Sequence, residues 1–319
     1  MKYYIGAYAS SPNISSWDAE SESNYYNQLK GLSNVQGLEH PFVGKLHARD
    51  DDWFLQNVDA SWNFVFTCIP GIMEAKSANP QFGIASDDEA GRAEALDFMS
   101  KARDAIVKLN THLGRQAVTA IQVQTSPSKN QASSSAAALQ KSFETMVGWD
   151  WQGAQIVIEH CDAFVEGQKP AKGFLTLADE LTAVQHVNST KGSNIGIVIN
   201  WGRSVIETRS AQGAITHIEQ AKAAGVLSGV MFSGVSDKES EFGVWSDSHM
   251  PPALDDKELL SEQVSLMTEA EMHKCLAAAD AATLDIVGVK IGIRPRSTGV
   301  DDRVAYNKNA FAAIDKFFS

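Results

Sequence analysis

The feature that most constrains this chain is a strict alternation of short, apolar, β-rich runs with longer stretches of helical pattern. The runs occupy residues 2–9, 35–43, 62–69, 117–125, 154–160, 194–201, 226–233 and 283–291. Several are apolar almost without interruption, as in Ile156, Val157 and Ile158 ahead of Glu159, or Ile195, Ile197, Val198 and Ile199 around Gly196. A strand wetted on one face alternates polar with apolar residues, so continuous apolar character marks strands covered on both faces, as in a parallel sheet. Strands joined through helices run parallel, with right-handed crossovers. Eight such repeats fit a closed barrel or a large doubly wound sheet. The similar repeat lengths, and the lack of a GxGxxG turn after the first run, favour an α/β fold of the (β/α)8 TIM barrel type, one domain spanning 1–319.

Local signals support the same reading. Ser86 with Glu89, and Thr268 with Glu271, have capping-box spacing ahead of helical stretches 90–109 and 272–282. Thr176 opens the helix before the sixth run, and Gly225 ends the 211–224 helix. Two connections are long, 71–88 after the third run and 235–261 after the seventh, and in a barrel such loops form the walls or lid of the site. The serine-rich stretch 126–135 is expected to be a flexible loop.

Charge narrows the partners. Twenty-seven Lys and Arg against 39 Asp and Glu leave a formal net charge of −12, which opposes nucleic acid and anionic membranes but allows a small anionic substrate in a local cationic pocket. The three cysteines, Cys68, Cys161 and Cys275, are far apart and include no CxxC pair, so neither a zinc knuckle nor a disulfide framework is indicated. No signal-peptide-like apolar core opens the sequence and no run approaches membrane-spanning length, so a cytoplasmic protein is expected. A homo-oligomer stays open. GxSxG, P-loop and HExxH motifs are absent.

In a TIM barrel, chemistry is built where the strands end, at the C-terminal face. Glu159 directly follows an apolar run, where an ionised carboxylate needs a cation or hydrogen-bond donors. It reads as a metal ligand or an acid/base, or else as an ion-pair partner of Lys290 or Arg294. Glu39 ends the second run and carries the same reading, against that of a solvent-facing loop carboxylate. Lys290, just after the eighth run's apolar core, would pair with Glu159 or bind a substrate anion or carbonyl. Arg203 and Arg294 could grip a carboxylate or phosphate bidentately. Asn200 could ligate a metal or hydrogen-bond a sugar hydroxyl. Trp201 and Trp245 would flank the mouth and stack on a sugar ring, and Asp247 and His249 lie in a loop stiffened by Pro251 and Pro252. His40 and His160 each follow a glutamate, so on strand alternation each points away from it and reads as structural. His217 and His273 fall within helical patterns.

Three strand endings together resemble the xylose-isomerase-like barrels: Gly37, Leu38, Glu39; Ile156, Val157, Ile158, Glu159; and Gly196, Ile197, Val198, Ile199, Asn200. That superfamily holds sugar isomerases, ketose epimerases, inosose dehydratases and endonuclease-IV-type repair enzymes, and the resemblance is to an uncharacterised branch of it. It implies a divalent cation, manganese or magnesium, held by Glu on strand five, Asp on six, His on seven and Glu on eight. Glu159 matches the first position. Asn200 stands at the second, Phe232 or Ser233 at the third and Lys290 at the fourth, so the implied ligands reduce to Glu159, Asn200 and, from the loop, His249. A lysine at the fourth position would repel a dication and could take its place electrostatically.

The resemblance implies a carbohydrate or polyol substrate and isomerisation or epimerisation by proton transfer next to a carbonyl. Glu159 and Glu39 would serve as acid/base groups, with Lys290 or a metal stabilising the enediolate oxygen. The alternatives are a metal-free glycoside hydrolase or lyase using the Glu39/Glu159 pair, for which roughly 5 Å between carboxyls suits retention and roughly 6.5–9.5 Å inversion, and a non-catalytic carbohydrate-binding barrel.

Overall fold

The computed structural model describes residues 1–14 and 16–319. In chain order the elements are β1 (Tyr3–Ile5), α1 (Ala7–Ser10), α2 (Ala19–Lys30), β2 (Val35–Pro41), α3 (Asp51–Asn57), β3 (Asn63–Thr67), α4 (Ile69–Ala78), α5 (Glu89–Leu113), β4 (Val118–Val123) and α6 (Ala136–Met146). They continue with β5 (Gln155–His160), α7 (Leu177–Lys191), β6 (Gly196–Asn200), α8 (Trp201–Thr208), α9 (Ala211–Ala223), β7 (Leu227–Phe232), α10 (Glu269–Ala279), β8 (Ile286–Val289) and α11 (Val300–Phe317). The strands pair parallel in sequence order and β8 closes on β1, a (β/α)8 TIM barrel.

The apolar runs owe their continuity to two separate cores. Tyr4, Val65, Ala120, Val157, Val198, Met231 and Ile286 fill the lower barrel interior. Their outward neighbours, such as Ile158, Ile199 and Phe232, join the larger core under the helices. Side chains two residues apart share a face, so the interior positions above this floor are Thr67, Gln122, Glu159, Asn200 and Ser233. All five are buried and polar. The interior therefore changes from hydrocarbon to polar along its axis, and the polar layer lies at the C-terminal face.

Several local expectations change. The first run, expected as strand to residue 9, leaves the sheet at Ile5 and turns into the helical turn α1. Ser86 does not cap α5: Asp88 does, accepting from the Gly91 amide at 2.7 Å, while Ser86 Oγ accepts from the Asp88 amide. Thr176 and Thr268 cap α7 and α10 as read. The 71–88 connection is partly helical, since α4 fills its start. The 235–261 connection contains neither helix nor strand and is pinned through β-bridges Gly234–Met250 and Ala253–Thr268. The serine-rich loop is held rather than loose: Ser133 and Ser135 donate to Asp87, and Ser134 bridges Ser86.

Candidate active site

The polar layer is organised around Glu159. Its Oε1 accepts from Lys290 Nζ at 2.8 Å and Asn200 Nδ2 at 3.0 Å. Its Oε2 receives Arg203 Nη1 at 2.8 Å, Gln124 Nε2 at 2.9 Å and Thr67 Oγ1 at 3.3 Å. Burial pushes this carboxyl up, but Arg203 and Lys290 outweigh it and hold Glu159 below the usual carboxylate range. Five donors on two oxygens leave little capacity to take up a proton or to attack a substrate.

Glu39 sits across the barrel in a contrasting environment. It is 1% exposed, with Oε1 2.9 Å from the same Lys290 ammonium. That contact is close but poorly aligned, and among the described residues neither Glu39 oxygen has a directed hydrogen-bond partner. Burial is the largest influence and raises its pKa; Lys290 lowers it and Glu159 raises it further. Lys290 is held above its ordinary value because the two glutamates overcome the opposing effect of burial. The Tyr8 hydroxyl is buried without a hydrogen-bond partner among the described residues, and its ring lies 5.9 Å from Lys290 Nζ. Glu39 and Tyr8 line a cavity of about 260 Å³, walled also by Trp17, Tyr26, His47 and Arg49. Gly6 makes the packing possible: a Cβ there would stand 2.9 Å from Lys290 Cγ and 3.1 Å from Glu39 Oε2.

The 235–261 connection closes the opposite side. Asp247 accepts from Arg203 Nε at 3.1 Å and pairs with Lys172 at 2.9 Å. Against the upward push of burial, Arg203 and Lys172 hold Asp247 well below the usual range. His249 shares a 2.8 Å hydrogen bond between its Nδ1 and Ser233 Oγ, at the end of β7. Burial drives its pKa down to about 3, so its imidazole is neutral. Trp245 and His249 both have positive φ, 49° and 60°, conformations that non-glycine residues adopt only when their surroundings hold them.

The expected site residues thus separate. Glu39, Glu159, Lys290, Asn200, Arg203 and His249 converge at the mouth. Arg294 lies on the rim with its guanidinium 5.2 Å over the Phe242 ring, in a shallow pocket shared with Tyr8 and His249, and it does not pair with Glu159. Trp245 is also at the rim, carrying the Arg209 guanidinium 4.8 Å over its ring. Trp201 corrects the expectation that it flanks the mouth: it is fully buried in the hydrophobic core. Asn200 caps α8 directly, accepting from the Arg203 amide, so residue 201 follows helical rather than strand geometry. His40 and His160 point out of the barrel, as alternation requires: His40 stacks on Phe54 and His160 bonds Glu180.

The implied cation does not fit. Asn200 commits its amide nitrogen to Glu159 and its oxygen to the Arg203 amide. Both Glu159 oxygens already receive cations, and Lys290 Nζ lies between Glu39 and Glu159 where a dication would otherwise balance them. Two of the three ligands expected from the resemblance, Glu159 and Asn200, thus have their oxygens engaged by protein groups. His249 turns its Nδ1 to Ser233, and the lysine supplies the positive charge. Thr67 and Gln124 are polar endings of the third and fourth runs in the sequence, and the structure gives them their role as donors to Glu159. Sequence reasoning missed Tyr8, Lys172 and Gly6. Tyr8 was hidden by reading 2–9 as one strand.

The family described as "Domain of unknown function (DUF4862)" matches residues 4–306. The protein STM3670 of Salmonella typhimurium strain LT2, described as uncharacterized, is 33% identical over 305 residues, covering 95% of this chain and 93% of that one. Among solved structures, the 3-keto-D-glucoside 4-epimerase YcjR of E. coli aligns with a TM-score of 0.58 at 12% identity, covering 98% of this chain and 100% of that one. A xylose isomerase domain protein of Alicyclobacillus acidocaldarius aligns at 0.54 and 12% identity, covering 100% and 99%. A sugar phosphate isomerase/epimerase of Parabacteroides distasonis gives 0.54 and 12%, covering 100% and 95%. At these identities the structures share the fold. The chain belongs to the DUF4862 family, and its barrel has the fold of these solved structures.

Proposed function

We propose that the protein is a sugar isomerase or epimerase that moves a proton next to a carbonyl without a metal at the barrel mouth. The observation carrying this reading is Glu39, a buried carboxylate with an unpartnered oxygen on the wall of a cavity, beside a lysine that cannot leave. Burial raises its pKa toward the working pH, which suits a general base. A substrate carbon acid adjacent to a carbonyl would give its proton to Glu39 Oε2. The carbonyl oxygen gains negative charge as the C–H bond breaks, and the Lys290 ammonium and Tyr8 hydroxyl are the donors able to stabilise it. Returning the proton to the neighbouring carbon, while the hydroxyl proton passes to the former carbonyl oxygen, completes an isomerisation with one carbon base; returning it to the opposite face of the same carbon would require a second donor.

Glu159 takes a different role from the acid/base one expected from sequence. It fixes Lys290 and Arg203, and it does not reach the cavity wall. The same fact weighs against the hydrolase reading, whose nucleophile or second carboxylate would have to be Glu159. The test is incubation in deuterium oxide with a panel of aldoses, ketoses and keto-glycosides, followed by NMR. Solvent deuterium should enter next to the carbonyl with the native chain and not with Glu39→Gln. Release of a reducing sugar from glycosides, without exchange, would favour the hydrolase. Saturable sugar binding with neither reaction would favour a binding barrel.

A further inference from the structure

Outside the barrel wall, on the other face of β5 from Glu159, His160, Glu207 of α8 and His217 of α9 converge. None of them takes part in the mouth. Their candidate ligand atoms all lie within 4.8 Å of one another. His160 Nε2 is 3.2 Å from Glu207 Oε2, and His217 Nε2 is 3.8 Å from Glu207 Oε1. A tetrahedral zinc ion with ligands at about 2.0–2.2 Å sets neighbouring ligand atoms about 3.3–3.6 Å apart, so an ion would draw the three ligand atoms, now within 4.8 Å of one another, slightly together. The two imidazoles stand nearly perpendicular, at 85° with centroids 4.9 Å apart.

The outward atoms of the cluster are committed to groups that would not be ligands. His160 Nδ1 pairs with Glu180 Oε2 at 2.8 Å, and Glu180 is itself held by Thr125 Oγ1 at 2.7 Å. His217 Nδ1 pairs with Ser204 Oγ at 3.0 Å. The Ala163 amide donates to Glu207 Oε2 at 2.8 Å. Contacts of this kind orient metal-binding histidines and leave Nε2 facing the ion. A cation would replace the contacts that the three side chains make with one another, while Glu207 Oε2 keeps the Ala163 amide. The His160 side chain is fully buried, whereas Glu207 is 13% and His217 9% exposed, so the open edge can admit a water as fourth ligand.

We propose that His160, Glu207 and His217 form a zinc-type divalent cation site, completed by water, that ties β5 to α8 and α9. Entry of the ion displaces the proton His160 shares with Glu207, which passes to solvent. Because α8 also carries Arg203, the site would brace the helix that holds Glu159 in place. This inference uses none of the residues assigned to proton transfer and stands or falls separately.

The test uses the full chain after chelator dialysis, titrated with zinc sulfate by calorimetry and followed by thermal unfolding. One equivalent should bind and raise the melting temperature. His217→Gln and Glu207→Gln should each abolish stoichiometric binding, and Ser204→Ala should weaken it about tenfold while its circular dichroism stays native. Glu39→Gln should still bind one equivalent. Failure of the native chain to bind one equivalent would overturn the proposal. So would unchanged binding in His217→Gln, or loss of binding in Glu39→Gln.

Discussion

Glu39 and Glu159 are both carboxylates buried on the inner face of one barrel, and both touch the same lysine, yet the protein treats them oppositely. Glu159 receives five donors, two of them cationic. Glu39 receives one imperfect contact and faces open volume. A carboxylate saturated with donors is an anchor, because its charge is fully used in holding other groups. A carboxylate buried without directed donors bears a desolvation cost that a group donating to it would offset. The contrast separates the group that builds the site from the group that is free to act in it.

The contrast can be broken first by stability. Glu159→Gln leaves Lys290 and Arg203 without their common partner, and loss of one member of a buried pair costs about 3–5 kcal/mol. The lower end is expected, since Lys290 keeps Glu39 and Arg203 keeps Asp247. Glu39→Gln should change stability by no more than about 1 kcal/mol, because Glu39 returns so little of its burial cost. Chemical denaturation of both variants measures the difference, and equal losses would erase the distinction. Kinetics then sharpens it: Glu39→Gln should lower kcat about 100- to 10,000-fold on whatever substrate the deuterium panel identifies. Gly6→Ala tests the geometry, since the added methyl presses on Lys290 and Glu39 together. It should cost about 1–3 kcal/mol by overpacking, with kcat falling in parallel. Asp247→Asn should act mainly through the loop, raising KM more than it lowers kcat, with faster limited proteolysis within 235–261.

The smallest effect is in pH. Glu39 has a folded-state pKa raised above its unfolded value, so between the two the native chain binds the extra proton. Its contribution to stability is complete below the ordinary carboxylate pKa and is lost as pH rises through the raised one. In the role proposed for Glu39, activity runs the other way, since a base must be deprotonated. Melting temperatures of native and Glu39→Gln chains should lie closest below this window, where both side chains are neutral, and the native chain should fall relative to the variant as pH rises through it, after subtraction of their common slope.

The barrel was legible because a strand covered on both faces cannot hide its apolar continuity, and the inward placement of Glu159 followed from counting by two from Val157. Counting failed where the chain changed period. α8 begins at Trp201, immediately after β6, so a tryptophan expected at the mouth rotates into the core while Arg203 turns back toward Glu159. α1 begins at Ala7, and Tyr8 was lost for the same reason. The Asp247–Arg203 pair spans 44 residues, and Glu207 and His217 reach His160 from separate helices. No local spacing announces such meetings, because they depend on how helices pack around a closed sheet.

Lys290 gives the mouth a property that a bound ion would not. An exchangeable ion fills its position in proportion to its free concentration, and its identity follows whatever the surroundings supply. An ammonium carried on the backbone is present once per molecule from the moment of folding, at an effective concentration fixed by covalent bonds. Its position can be tuned by substitution at Gly6, Glu39 or Glu159, and it cannot be exchanged for a harder or softer charge. The C-terminal mouth of this barrel therefore carries a positive charge written in the chain itself.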